Sequence, residues 1–443
     1  MPRQRSTRTG GQGLISRLAG AGLLLALALP AAAGQHAIAE RAQAVLRFAC
    51  ARQVFDAAGT AASLPSGFAL AAVEAGTAPG RPPRQHIELA GPHDTRATIL
   101  VDAFPDGSRS ITLTLDEAGR PRLQVLAQAS GNGAGEACAI RDARRIDYGD
   151  TGSAESIVLL DAELDATTER IPVNPPVPDG SDPGGITVAH VDSGVNYLLP
   201  QIARSLARDG AGRILGGDFW DGDKRPFDID TGRSPFFPLH HGTTVASLLL
   251  KEAPHIRLVP LRYPRPDMQL MGDVVRHADM SGARIVAMPM GSRDPADWTA
   301  FADAARAAPD VLFVVSAGND GRNIDAEPLY PASLDLPNML VVTSADDFGR
   351  IAQGSNWGAE SVDLMVPAER IELTDHRGAT VSASGSSYAV PRVAALAARL
   401  LERHPDWKVA DLIVAISGYA APGMDRGPAR VKLGWIPDPR SLP

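Results

Sequence analysis

From Ile186 onward the chain alternates short β-branched runs with helical stretches, and few architectures accept that rhythm. The runs cover residues 186–191, 256–261, 284–288, 311–316, 339–343 and 362–366. Helical spacing falls at 241–250, 271–280, 294–308 and 387–401, and in the third of these Asp294 can cap while Pro295 suits the first turn. Strands this apolar on both faces belong in a parallel sheet covered by helices on each side, an α/β unit over residues 186–443. Ligand sites in such sheets gather beyond the carboxyl ends of the strands.

The preceding 185 residues read differently. Residues 171–185 hold Pro172, Pro175, Pro176, Pro178 and Pro183 with Gly180, Gly184 and Gly185, which predicts an extended, exposed linker. Before it, residues 34–170 form a smaller α+β domain. Helical spacing runs over 37–55, and alternating segments at 98–101, 110–115 and 122–126 are separated by Pro105-Asp106-Gly107 and Asp116-Glu117-Ala118-Gly119. That is a β-meander beside a helix. Its role is open between a pro-region and a permanent accessory domain. Cys50 and Cys138 are the only cysteines, and an even count in an exported chain points to one disulfide, against the alternative of two buried thiols.

Export is read from residues 1–33. Four arginines precede an apolar run at 18–29, Pro30 breaks it, and Ala31-Ala32-Ala33 offers a cleavage site, with Ala37-Ile38-Ala39 as a second. The run is shorter than the roughly 20 residues a membrane span needs, so a secreted or periplasmic protein without a stable membrane anchor is expected. Net charge is −8, and all four of those arginines lie in the part to be removed. An acidic body without basic runs argues against nucleic acid as a partner. A monomer acting alone is the expectation.

Chemistry is concentrated in four glycine-bearing stretches, where the backbone can turn tightly and leave a side chain reachable. They are Val191-Asp192-Ser193-Gly194, His241-Gly242-Thr243-Thr244, Ala317-Gly318-Asn319-Asp320-Gly321 and Gly385-Ser386-Ser387-Tyr388-Ala389. A serine hydroxyl needs a base within hydrogen-bond reach, and an imidazole needs a carboxylate to orient it. Ser387, His241 and Asp192 fit those parts, and Asn319 could donate to an oxyanion. Singly, each residue has an ordinary reading as a helix cap or turn former. Asp192 and Asn319 fall at strand ends and His241 and Ser387 open helices, so the topology should bring all four to one edge.

These stretches, in the order Asp, His, Ser, resemble the subtilisin-like serine proteases, the subtilase family. The resemblance runs from about residue 185 to the C-terminus and includes Gly217-Asp218-Phe219-Trp220-Asp221-Gly222-Asp223, Tyr330-Pro331-Ala332 and Ser355-Asn356-Trp357-Gly358. It implies a subtilisin-like three-layer fold and a serine endopeptidase that cleaves polypeptides without a cofactor for the chemistry. It also implies a cleft with Met290, Gly291 and Ser292 along one side and Ala317 and Gly318 as the floor of the primary pocket. The chain departs from the family pattern at Ala287, Pro289, Thr244, Ser386 and Tyr388, which bears on specificity more than on activity. His240 adjoins His241 but lacks the following Gly-Thr, so it is read as a neighbour or a pocket-rim residue. Asp221 and Asp223 could hold calcium, as comparable loops do in several family members, or form a solvated acidic loop. A catalytically silent peptide-binding scaffold and an esterase-like hydrolase are the alternative functions.

Overall fold

The structure is a computed structural model that describes residues 22–130, 138–150, 152–425 and 427–443, with side chains from residue 36 onward. The chain divides into two compact units, Met1–Ile171 and Pro172–Pro443. The charged start of the export signal lies outside the described residues, and so do the side chains of its apolar run and of Ala31–Ala33. Among the described residues no helix is long and apolar enough to cross a membrane.

The first unit is an eight-stranded sheet whose strands lie side by side in chain order. They are β1 (Ala69–Gly76), β2 (Arg84–Gly91), β3 (Thr95–Ala103), β4 (Arg109–Glu117), β5 (Arg120–Ala129), β6 (Ala139–Tyr148), β7 (Ala154–Leu160) and β8 (Ala166–Pro172). Alternation sets the register: Ile111, Leu113 and Leu115 of β4 point into the core, and Ile99 of β3 pairs with Leu113. Helix α1 (Gly22–Cys50) covers that face with Ile38, Ala42, Val45 and Ala49. A short helix, α2 (Ala57–Ala61), follows. Sequence spacing carries the helix to Phe55, but α1 stops at Cys50. There the Cys50–Cys138 disulfide ties it to the segment before β6, and Arg109 of β4 donates to the carbonyls of Cys50 and Arg52. A guanidinium on these end carbonyls satisfies groups that a continuing helix would have bonded itself. Phe55 stays buried in the same core, outside the helix.

The second unit is a parallel sheet in the order β10-β11-β9-β12-β13-β14-β15-β18. Its strands are β9 (Thr187–Asp192), β10 (Gly217–Asp218), β11 (Arg257–Arg262), β12 (Ile285–Met288), β13 (Leu312–Ser316), β14 (Met339–Ala345) and β15 (Leu364–Pro367). An antiparallel hairpin follows, β16 (Ile371–Thr374) with β17 (Thr380–Ala383), and β18 (Gly434–Trp435) closes the edge. Helices α3 (Pro200–Ala203), α4 (Gly242–Glu252), α5 (Met271–Met280), α6 (Thr299–Ala307), α7 (Ser386–Arg403) and α8 (Val409–Gly418) complete the layers. One core packs α4, α7 and α8 against Val188, Ile285, Val314 and Val342; the other packs α5 and α6 against Ala189, Val191, Val286 and Val315. Alternate residues of the same strands feed the two faces, which makes each strand apolar throughout. At the start of α6 the carboxylate of Asp294 accepts from the Ala296 N–H, as its position suggested, but the first turn is 3-10 rather than α.

Residues 172–185 are not a free tether. Val173 is buried, the carbonyl of Pro175 accepts from the Tyr197 hydroxyl at 2.6 Å, and that of Pro178 accepts from Arg208 at 2.7 Å. Proline removes donors but leaves carbonyls, and the second unit binds these carbonyls along its surface. Exposure is confined mainly to residues 179–181 and 183–185.

Candidate active site

Asp192 is the last residue of β9, in the middle of the parallel sheet, and His241 precedes the first turn of α4. A Cβ on Gly242 would stand 2.0 Å from the Gly194 carbonyl oxygen and 3.0 Å from the Asp192 Cβ, so glycine alone lets α4 start against the end of β9. That approach brings His241 Nδ1 to 2.9 Å from both carboxylate oxygens of Asp192. The carboxylate is buried and also accepts from the Ser193 N–H at 2.7 Å, whereas the imidazole is 40% exposed. Burial disfavours an imidazolium here, but the charge and hydrogen bond of Asp192, with Asp228 behind, outweigh it and raise the pKa of His241 above its ordinary value.

A second carboxylate holds this pair from beneath. Asp228 is fully buried; it accepts from the Ser193 hydroxyl at 2.6 Å, the Thr243 N–H at 2.9 Å and the His241 N–H at 3.2 Å. Ser193 Oγ in turn accepts from the Gly242 N–H at 2.9 Å. Desolvation works against the charge of Asp228, yet His376 and these donors hold its carboxyl well below the usual range. Asp228 therefore positions the α4 N-terminus against β9. Nothing in the local sequence singles Asp228 out, because Ser193 and Thr243 converge on it only in space.

Ser387 is the second residue of α7, half-exposed, behind Gly385 with φ 134°. That left-handed backbone, and the 3.1 Å that would separate a Cβ there from Asn319 Oδ1, demand glycine. Asn319 Oδ1 accepts from the Ser386 N–H at 2.8 Å. The bond settles which way the amide faces, since only the oxygen can meet an N–H, and it leaves Nδ2 to donate elsewhere. The Asn319 loop is itself clamped by buried Asn356, whose Oδ1 accepts from the Asp320 and Arg322 N–H groups and whose Nδ2 donates to the Ala317 carbonyl at 2.8 Å. The two halves of the site meet at Tyr388, its ring centroid 6.2 Å from that of His241 and its hydroxyl 3.5 Å from Thr244 Oγ1. The N-termini of α4 and α7 thus open side by side. In the first turn of α7 the backbone N–H groups have no carbonyl four residues back to bond, and the helix dipole favours negative charge at that end.

Other predicted residues behave differently. Met290 and Gly291 lie just past β12, and Ala317 and Gly318 just past β13. Ser292 is committed internally: its N–H and carbonyl pair with Tyr330 at 2.9 Å each, and its hydroxyl contacts Asp297 and Trp298. Its backbone is therefore spent on Tyr330 rather than presented to a peptide. Asp221 and Asp223 do not converge on a cation either. Asp221 and Asp218 both bind Arg262 Nη1, at 2.6 and 2.8 Å, and Asp223 binds the Asn174 amide at 2.7 Å and the Arg225 N–H. The positive charge a calcium ion would supply to Asp221 comes from a buried guanidinium stacked on Trp220. Among the described residues the group whose donor atoms lie close enough to share an ion is Asp228, His240 and His376. His240 and His376 are stacked with centroids 3.7 Å apart and planes 15° from parallel, so their lone pairs run side by side instead of meeting. His240 Nδ1 is bonded to the Asp228 carbonyl at 2.6 Å, and the pair reads as a support for the buried carboxylate.

The model of the subtilase family matches residues 184–426. The thermophilic serine proteinase of Bacillus sp. (strain AK1) is 29% identical over 232 residues, covering 49% of this chain and 52% of that protein. Subtilisin-like protease 1 of Arthroderma gypseum is 33% identical over 240 residues, 50% of this chain and 45% of that protein. The chain spans about half the length of the curated relatives it matches. Among solved structures, a cold adapted subtilisin-like serine proteinase aligns over 60% of this chain and 93% of its own, with 21% identity and a TM-score of 0.46. A lanthipeptide protease aligns over 59% and 89%, with 21% identity and a TM-score of 0.46.

Proposed function

The chain belongs to the subtilase family, and from that premise we propose that it is a serine endopeptidase acting through an acyl-enzyme on Ser387. The Ser387 oxygen attacks the peptide carbonyl carbon while its proton passes to His241 Nε2, and the imidazolium then gives that proton to the departing amine. Water repeats the sequence to release the acid. Asp192, bonded to Nδ1, keeps Nε2 as the accepting nitrogen and stabilises the cation. Asn319 Nδ2 and the Ser387 N–H stabilise the oxyanion. Subtilases need no cofactor for this chemistry. The observation that carries the reading is the bidentate approach of the Asp192 carboxylate to His241 Nδ1, which serves no packing purpose on a side chain left 40% exposed.

The test is covalent labelling by a fluorophosphonate. Folded mature protein should label stoichiometrically and Ser387→Ala should not label at all. A folded wild-type chain that stays unlabelled refutes the proposal and leaves a silent peptide-binding scaffold.

Export belongs to the same proposal, with cleavage after Ala33. Cleavage after Ala39 would strip Ile38, fully buried, from the core beneath the first sheet. The first unit has its own core and disulfide, which supports a permanent module rather than a removed pro-region. N-terminal sequencing of secreted protein checks both points: Gly34 is the expected first residue, and a start near residue 185 would show that the unit is removed.

A further inference from the structure

Gly291 and Gly318 are the two glycines on the segments that the family resemblance assigns to the cleft side and the pocket floor. Leu329, on the stretch leading to Tyr330-Pro331-Ala332, reaches both. Its Cδ2 lies 2.6 Å from where a Cβ on Gly318 would stand and 3.5 Å from where one on Gly291 would stand. An isobutyl group therefore stands between the two glycines, on the segments that the resemblance assigns to the primary pocket. Met290 and Tyr330 flank it, half-buried, and all three pack on the core formed with α5 and α6.

The leucine is held there. Tyr330 exchanges both backbone hydrogen bonds with Ser292 at 2.9 Å, the Leu329 carbonyl accepts from the Ser333 N–H at 2.8 Å, and the Leu329 N–H donates to Ser333 Oγ at 3.2 Å. These bonds fix the backbone from which the Leu329 side chain extends toward the two glycines. The floor beneath is equally firm, since the Asn356 N–H donates to the Gly318 carbonyl at 3.0 Å and Asn356 Nδ2 lies 2.6 Å from the same Gly318 Cβ position.

We propose that Leu329 closes the primary pocket from within and restricts cleavage to bonds that follow small side chains, glycine, alanine or serine. The proposal rests on the catalytic reading above. Large aromatic or aliphatic residues at that position would have to displace an anchored leucine, which costs them in the transition state as well as on binding. The restriction is one of volume, with no charge involved.

A matched series of peptide substrates differing only in the residue before the cut, alanine against leucine and phenylalanine, tests this on wild type and Leu329→Gly. Active sites are counted by fluorophosphonate in each. Wild type should favour alanine, and Leu329→Gly should shift the phenylalanine-to-alanine ratio of kcat/KM upward by about 10- to 100-fold. Should the glycine variant fold poorly, Leu329→Ala should shift the ratio in the same direction by less. Variants that label normally and keep the wild-type ratio overturn the pocket assignment while leaving the serine protease intact. A wild type that does not label removes the catalytic reading and this one with it.

Discussion

The first unit lays its eight strands down in chain order, so every pairing joins neighbours in sequence; the second threads β9 between β11 and β12, strands formed some 65 to 100 residues later. The two also differ in what they bury. Among the described residues the first unit buries few polar side chains: Thr60, Thr95, Arg109 and Arg145. The second buries Asp192, Ser193, Asp218, Asp228, Thr243, Arg262, Glu252 and Arg392. Buried charge without a partner is costly, so each of these is matched: Asp218 to Arg262, Glu252 to Arg392, Asp228 to hydroxyl and backbone donors. The meander is stabilised by apolar area, a helix and a disulfide. The parallel unit accepts the expense of buried polar groups, and Asp192, Ser193, Asp228 and Thr243 among them lie at the candidate site.

This contrast can be broken by substitution. Asp192→Asn should cost about 10⁴ in kcat with little effect on thermal stability. It should also move the acid limb of kcat/KM. His241 must be neutral to accept the serine proton, so activity rises as pH climbs through its raised pKa; without the carboxylate the limb should fall back toward about 6.5. A limb that stays in place would mean another group titrates. Removing the disulfide with Cys50→Ser and Cys138→Ser should destabilise the first unit by about 4–5 kcal/mol in the chain-entropy account, given the 88-residue separation. Denaturant melts would read that loss, and kcat should not change; a fall in kcat would show that the meander supports catalysis. Asn319→Ala should lower kcat by about 10²–10³ and leave KM nearly unaltered. A wild-type kcat would remove it from the oxyanion site.

The smallest expected effect concerns acid stability. The pKa of Asp228 is depressed in the folded state, so its contribution is complete above the ordinary carboxylate pKa of about 4 and is lost as pH falls toward the folded value. Melting temperature measured from pH 5 down to pH 2 should fall less steeply in Asp228→Asn than in wild type, from a lower starting point. Parallel slopes would show that Asp228 is not a source of the acid loss.

Local chemistry made much of this legible from residues alone. Helix α5 spans Met271–Met280, the stretch that apolar spacing indicates, and β9, β11, β12 and β13 start within one residue of their β-branched runs. Strands of the first unit are harder to read: β3, β4 and β5 show clean alternation, β1 is mostly apolar without alternating, and β8, largely exposed, carries little apolar signal. The linker at 171–185 is less exposed than its prolines suggest, because proline count reports missing donors and says nothing of carbonyls that another segment can bind. Calcium at Asp221 and Asp223 stays open in the sequence, beside a solvated acidic loop, for a related reason. Arg262, whose guanidinium binds Asp221, lies 41 residues away along the chain.

By itself the sequence determined the α/β rhythm, the glycines that permit tight approach, and the candidacy of Asp192, His241, Asn319 and Ser387, since these follow from local backbone preference and side-chain chemistry. Tertiary structure alone decided that Asp228 carries the α4 N-terminus, that Asn356 clamps the Asn319 loop, and that Leu329 stands between Gly291 and Gly318. Each of those depends on segments meeting across tens of residues, and a contact made by distant segments leaves no periodicity along the chain.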